Sequence, residues 1–160
     1  MVTLEHADIR RILPHRHPVL LVDRVLDLEP GVRIVATKTV TGSEPCYAGL
    51  DEHLPASAYA YPASLLVESF GQTGAVLWLY SAATAGERSE GTLIFGSARE
   101  VTITGSAYPG DVLRHTVEID QLIGDNAFMR GETWVGDRRI ATLGSVLAVV
   151  REGLAAGTGS

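Results

Sequence analysis

The run PASLLVESFGQTGAVLWLY, from Pro62 to Tyr80, is apolar almost throughout and yet carries a carboxylate, Glu68, and an amide, Gln72. Residues four apart on a helix stand one above the other, so Ser64, Glu68 and Gln72 form a single polar stripe. Leu65, Leu66, Val67, Phe70, Val76, Leu77 and Leu79 surround it. An isolated carboxylate is costly to bury, so Glu68 is paired, neutralised or turned toward a cavity that takes a ligand. The alternative is a stripe that faces water on a half-exposed helix, but the apolar flanks leave little room for one. Gln72 is spaced to orient Glu68 by a hydrogen bond, Ser64 to serve the helix start, and Gly71 and Gly74 to admit a second backbone at close range. His53 precedes the helix in DEHLPASAYAY. A loop histidine beside Asp51 and Glu52 is ordinarily a surface residue. Ahead of a buried acid it becomes a candidate base: neutral imidazole takes a proton near pH 7, a desolvated carboxylic acid gives one, and together they suit an elimination.

The remaining residues offer little competing chemistry. His15 and His17 flank Arg16 and lack a third ligand, which argues against a metal, and His6 and His115 read as ordinary surface or strand residues. There is no glycine-rich phosphate loop, no G-x-S-x-G elbow and no H-E-x-x-H. Cys46 is the single cysteine, so no disulfide framework is expected and a reducing cytoplasm is the natural setting. A net charge of −6 argues against general nucleic-acid binding. No uncharged apolar run reaches membrane-spanning length, and MVTLEHADIRRIL lacks the apolar region of a signal peptide.

The elements that must hold these residues follow from the periodicities. At 160 residues and 46% hydrophobic content the chain suits one domain, expected over residues 1–151, with residues 152–160, which end in GLAAGTGS, expected to be a disordered tail. ADIRRIL predicts a short helix ended by Pro14. LLVDRVLDL and VRIVATKTV, separated by Pro30-Gly31, predict a hairpin, and residues 41–61 an irregular segment. One long helix is predicted from Pro62 to near Gly86. TLIFGSAREVTI, DVLRHTVEID, AFMRGETWVG and RRIATLGSVLAVV alternate and predict four further strands. Segregated helices and strands indicate an α+β fold, with an antiparallel sheet curled around one apolar helix.

From about Ile9 to Val150 the chain resembles the 3-hydroxyacyl-(acyl-carrier-protein) dehydratases of fatty acid synthesis. ILPHRHPVLLVDRV is similar to that family's ILPHR-aromatic-PFLLVDRV, with Pro14, His15, Arg16, Pro18, Asp23 and Arg24 matching. SAREVTITGSAYPGDVL resembles its strand and V-x-P-G-D turn, here Tyr108 to Asp111. YPASLLVESFGQ resembles MPG-x-L-x-x-E-x-x-x-Q, which places Pro62, Glu68 and Gln72 on the family's proline, catalytic acid and glutamine. The histidine loop departs from G-H-F-P-G-x-P-x-M-P-G. It reads GLDEHLPASAYAYPA, with three residues between Gly49 and His53, one extra residue between His53 and Pro62, and Ala56 and Ala63 in place of glycines. Read without a gap, the histidine column falls on Leu50. His53-Leu54-Pro55 is the preferred match, because a loop absorbs an insertion more easily than a helix.

The resemblance implies a hot-dog fold, in which a long central helix is wrapped by a curled antiparallel sheet. It also implies a dimer whose active-site tunnel takes the histidine of one chain and the acid of the other. His53 is then the base that removes the C2 proton of a 3-hydroxyacyl thioester. Glu68 is the acid that protonates the departing hydroxyl. Backbone N–H groups at Ala63 and Ser64 face the thioester oxygen, Gln72 orients the acid, and Leu66, Phe70 and Phe95 line the acyl tunnel. No cofactor or metal is implied, the substrate being carried on the phosphopantetheine of an acyl carrier protein. That acidic partner calls for a basic patch, for which Arg10, Arg11, Arg16, Arg99 and Arg114 are candidates. The altered loop keeps three other readings open: a heterodimer with a homologous subunit in which this chain is non-catalytic, an enoyl isomerase, and a thioesterase. It also points to a polyketide or polyene pathway as an alternative to fatty acid synthesis.

Overall fold

In the computed structural model, which describes residues 1–87 and 91–151, a short helix α1 (His6–Ile12) leads into strands β1 (Arg24–Glu29) and β2 (Arg33–Thr39). The segment that follows holds only two single 3-10 turns, Pro45–Tyr47 and Ala56–Tyr59. The long helix α2 (Ala63–Thr84) comes next, then β3 (Thr92–Ile103), β4 (Val112–Ile123), β5 (Asn126–Val135) and β6 (Arg138–Arg151). These are the predicted elements in the predicted order. The tail expected at 152–160 lies outside the described residues. Among the described residues no helix is long and apolar enough to cross a membrane.

All six strands join one open antiparallel sheet in the order β1-β2-β4-β5-β6-β3. Alternation decides which face each strand buries. Ile34 and Ala36 on β2, and Leu113 and Val117 on β4, turn inward onto α2, which packs against β2 through β6 and against α1. Leu66, Phe70, Val76 and Leu77 fill the space between helix and sheet, each worth about 1.5–3 kcal/mol of burial. Helix α2 ends at Thr84, close to the predicted Gly86, whose φ of +77° few other residues accept; the Glu87 N–H then reaches back to the Ala82 carbonyl at 2.9 Å.

Two local expectations change. The glycines of α2 admit side chains where a second backbone was expected. A Cβ at Gly74 would lie 2.6 Å from the Met129 sulfur, and one at Gly71 would lie 2.6 Å from the Phe95 ring. The first strand also begins at Arg24, four residues later than LLVDRVLDL suggests. The reason is a side chain: Gln72 Oε1 accepts the Leu21 N–H at 2.8 Å, and its Nε2 donates to the Val19 carbonyl at 2.6 Å. Backbone groups that a ladder would use are taken by the helix.

Candidate active site

Pro62 fixes the start of α2. It cannot donate, its carbonyl accepts the N–H groups of Leu65 and Leu66 at 3.0 and 3.1 Å, and the Tyr61 N–H is anchored to the Ala107 carbonyl at 2.7 Å. Ala63 and Ser64 therefore occupy the first turn, where N–H groups have no intrahelical acceptor and the helix end is partly positive. Both residues are exposed. One turn on, Glu68 is half-buried, and two turns on Gln72 is buried, so the stripe passes from water into the protein. Gln72 Nε2 donates to Glu68 Oε1 at 2.9 Å. With its other contacts to Val19 and Leu21, the amide ties the acid to α2 and to the segment before β1 at once.

Glu68 borders a hollow of about 40 Å³ between α2 and the β3–β6 edge, lined by His15, Gly71, Gln72, Ala75, Phe95 and Ala148 among others. Such a space admits a few water molecules and falls far short of the roughly 300–1,000 Å³ of a small-molecule pocket. The acyl tunnel expected from sequence is thus not formed within one chain. Phe95 does line the hollow, lying over Gly71. Leu66 and Phe70 do not: they are 2% and 1% exposed and belong to the core on the other side of the helix. Their position is dictated by helical phase, since residues two positions from Glu68 point away from it. A larger groove, about 480 Å³, lies on the sheet between Glu100, Glu118, Arg130 and Glu132. Its polar walls suit an acyl chain poorly.

His53 stands apart from the hollow. It lies in the exposed loop between the two 3-10 turns, its N–H bound to Asp51 Oδ1 at 2.8 Å and its imidazole 3.6 Å from Glu52 Oε1 with the side chain 85% exposed. One chain alone does not bring the two candidate catalytic groups together. The loop is held at its root by Glu44, which is paired with the nearly buried Lys38 of β2, while the ammonium also donates to the Thr39 carbonyl at 2.9 Å.

Two histidines differ from their sequence reading. His15 stands beside the acid, with Nε2 3.6 Å from Glu68 Oε1. His115, expected at a surface or in an ordinary strand position, is fully buried. The Ser69 hydroxyl donates to the Leu66 carbonyl at 3.0 Å, so His115 Nε2 is the donor in its 2.7 Å bond to Ser69 and Nδ1 accepts from Thr133 Oγ1 at 2.8 Å. Burial lowers the His115 pKa to about 3. Its location was legible: in the alternating run Leu113-Arg-His-Thr-Val117 it shares the inward face with Leu113 and Val117. His15 offered no such signal, because it lies in an irregular segment. Among the described residues no group of three or more His, Cys, Asp or Glu side chains is arranged to hold a metal.

Residues 13–144 match the FabA-like domain family. The chain is 34% identical over 134 residues to a 3-hydroxyacyl-(acyl-carrier-protein) dehydratase FabZ of Clostridium kluyveri, an alignment covering 84% of this chain and 88% of that protein. It is 36% identical over 141 residues to the FabZ of Desulforamulus reducens, covering 88% and 94%. Among solved structures, the dehydratase heterocomplex ApeI:P of Xenorhabdus doucetiae superposes with a TM-score of 0.74 at 16% identity, covering 89% of this chain and 90% of that one, which establishes the shared hot-dog fold. With the matched domain spanning most of its length and relatives 34–36% identical over nearly the whole chain, the chain belongs to the FabA-like family of 3-hydroxyacyl-(acyl-carrier-protein) dehydratases.

Proposed function

We propose that this protein dehydrates carrier-bound 3-hydroxyacyl thioesters to trans-2-enoyl thioesters during fatty acid or polyketide chain building. The observation that carries the reading is the Glu68 carboxyl, bonded to Gln72 and half-sheltered at the edge of a hollow walled by Phe95, Ala75 and Ala148. His53 removes the proton from C2, the C3–O bond breaks, and Glu68 gives its proton to the departing hydroxyl, which leaves as water. Negative charge that gathers on the thioester oxygen meets the N–H groups of Ala63 and Ser64 at the start of α2. The reaction is acid–base chemistry and calls on no cofactor.

A second copy of the chain completes the site. Strand β3 forms one edge of the sheet, and Phe95, Val101 and Ile103 on it are exposed, an arrangement that a lone chain in water would have to guard against pairing. Pairing there sets the hollow of one chain against its neighbour, and His53 of one copy serves Glu68 of the other. The carrier protein approaches over Arg10, Arg11 and Arg16. The groove containing Arg11 and Arg16 shares Leu93 with the hollow at Glu68. Arg114 stacks over Trp134, 5.9 Å from its ring, and is assigned no part in docking.

The test is turnover of a 3-hydroxyacyl thioester by the purified protein, followed by enoyl absorbance. His53→Ala and Glu68→Gln are each expected to lower kcat by about 10²–10⁴-fold. Inactivity of a folded wild-type dimer on both short and long chains would overturn the reading. It would favour a second one, a subunit of a mixed dimer, which the exposure of His53 and the lengthened loop around it support.

A further inference from the structure

His15 has no part in the reaction as proposed, yet its surroundings fix it against the acid. Arg16 Nη1 donates to the Leu13 and His15 carbonyls at 2.8 and 2.6 Å, and Gln72 grips the chain at Val19 and Leu21. The imidazole between these anchors places Nε2 3.6 Å from Glu68 Oε1, the same oxygen that accepts from Gln72. That distance exceeds a hydrogen bond, and a small rotation of either side chain closes it. The other ring nitrogen, Nδ1, is buried and has no hydrogen-bond partner among the described residues.

The two nitrogens are therefore unequal. A proton on Nδ1 would bury an N–H with no acceptor and turn the bare lone pair of Nε2 onto a carboxyl oxygen. A proton on Nε2 points at that oxygen instead. Resting on the dehydratase reading of Glu68, we propose that His15 is a positioning residue whose Nε2–H, with Gln72 Nε2–H, holds Glu68 Oε1 as an acceptor. Oε2, which has no hydrogen bond among the described residues, is then the oxygen that delivers the proton. When the C3–O bond breaks, the Oε2 proton passes to the leaving oxygen, the C2 proton to His53, and Glu68 is left as a carboxylate. The charge formed on it is met by two donors already aimed at Oε1. The interaction strengthens as the reaction proceeds, so it acts on kcat and not on substrate binding.

The experiment compares His15→Ala, His15→Asn and His15→Gln. A glutamine amide reaches the place of Nε2, whereas an asparagine amide reaches only that of Nδ1. The Ala and Asn variants are expected to lose about tenfold to a hundredfold in kcat with KM little changed. The Gln variant is expected to recover most of that loss. Wild-type kcat in all three, a loss carried by KM, or a loss that Gln fails to recover would overturn the proposal. Ring-nitrogen NMR of the wild-type protein at neutral pH adds a measurement independent of turnover and of any variant's folding. A proton on Nε2 of His15 is expected, and one on Nδ1 would overturn the assignment. Absence of dehydratase turnover in the wild type would strike the function proposed for Glu68, while this spectrum still decides the contact with His15.

Discussion

The imidazole of His115 is held neutral inside the sheet by burial, which penalises its charged form, while both ring nitrogens find hydrogen-bond partners in Ser69 and Thr133. Its folded pKa, near 3, lies below the ordinary value of 6.5. The unfolded chain therefore binds this proton first as pH falls, and stability drains away between about 6.5 and 3, whereas above 6.5 the residue contributes no pH dependence. Urea denaturation at stepped pH should show this acid-side loss, and His115→Gln should flatten it. The same residue shows why a Ser–His contact is not by itself a catalyst. Ser69 and His115 are both fully buried, and the serine proton is already given to the Leu66 carbonyl. Glu68 differs in having an edge on a hollow and a free oxygen.

At the scale of elements, α2 and β3 meet through one close contact that shapes the site. Phe95 packs so closely on Gly71 that a Cβ there would fall 2.6 Å from its ring. Gly71→Ala is expected to push the ring aside at a cost of about 1–3 kcal/mol, the usual range for an overpacked site. Because Phe95 is 38% exposed, the ring has somewhere to go and the fold survives. In a Phe95→Ala background the glycine substitution should cost nearly nothing, and a double-mutant cycle of chemical denaturation measures the difference. Gly131 on β5 has no such relief. A Cβ there would strike the Thr116 carbonyl of the neighbouring strand, which is backbone and cannot swing away.

For the whole molecule, the decisive feature is that the half-buried acid and the exposed histidine loop of one chain do not meet. Glu68 opens on the β3 side of α2, and His53 projects from the loop rooted at Lys38 and Glu44. If two copies share their sites, inactive His53→Ala and Glu68→Gln proteins, mixed by unfolding and refolding together, regain activity. Each mixed dimer has one intact His53–Glu68 pair, so random pairing should restore roughly a quarter of wild-type sites. No recovery, from a mixture shown by mass to contain mixed dimers, would mean that the two residues do not act across the subunit boundary. A charged substitution on the β3 edge, Val101→Lys, should weaken the pairing itself, seen as a smaller species in sedimentation.

Periodicity alone determined the elements: alternation gave the strands, and the apolar run between Pro62 and Gly86 gave the helix, because each pattern matches the repeat of its backbone. The spacing of Glu68 and Gln72 likewise fixed their hydrogen bond, since four residues is one helical turn. Helical phase was also available in the sequence, and it would have assigned Leu66 and Phe70 to the core. Tertiary structure alone decided the rest. His15 reaches Glu68 across 53 positions only because Gln72 captures the backbone at Val19 and Leu21, a contact no local pattern encodes. The late start of β1 has the same cause. Phe95 enters the hollow because β3 pairs with β6 at the sheet edge and not with the strand before it. Sequence specifies what repeats along one element; which side chains from distant elements meet is set by how those elements pack.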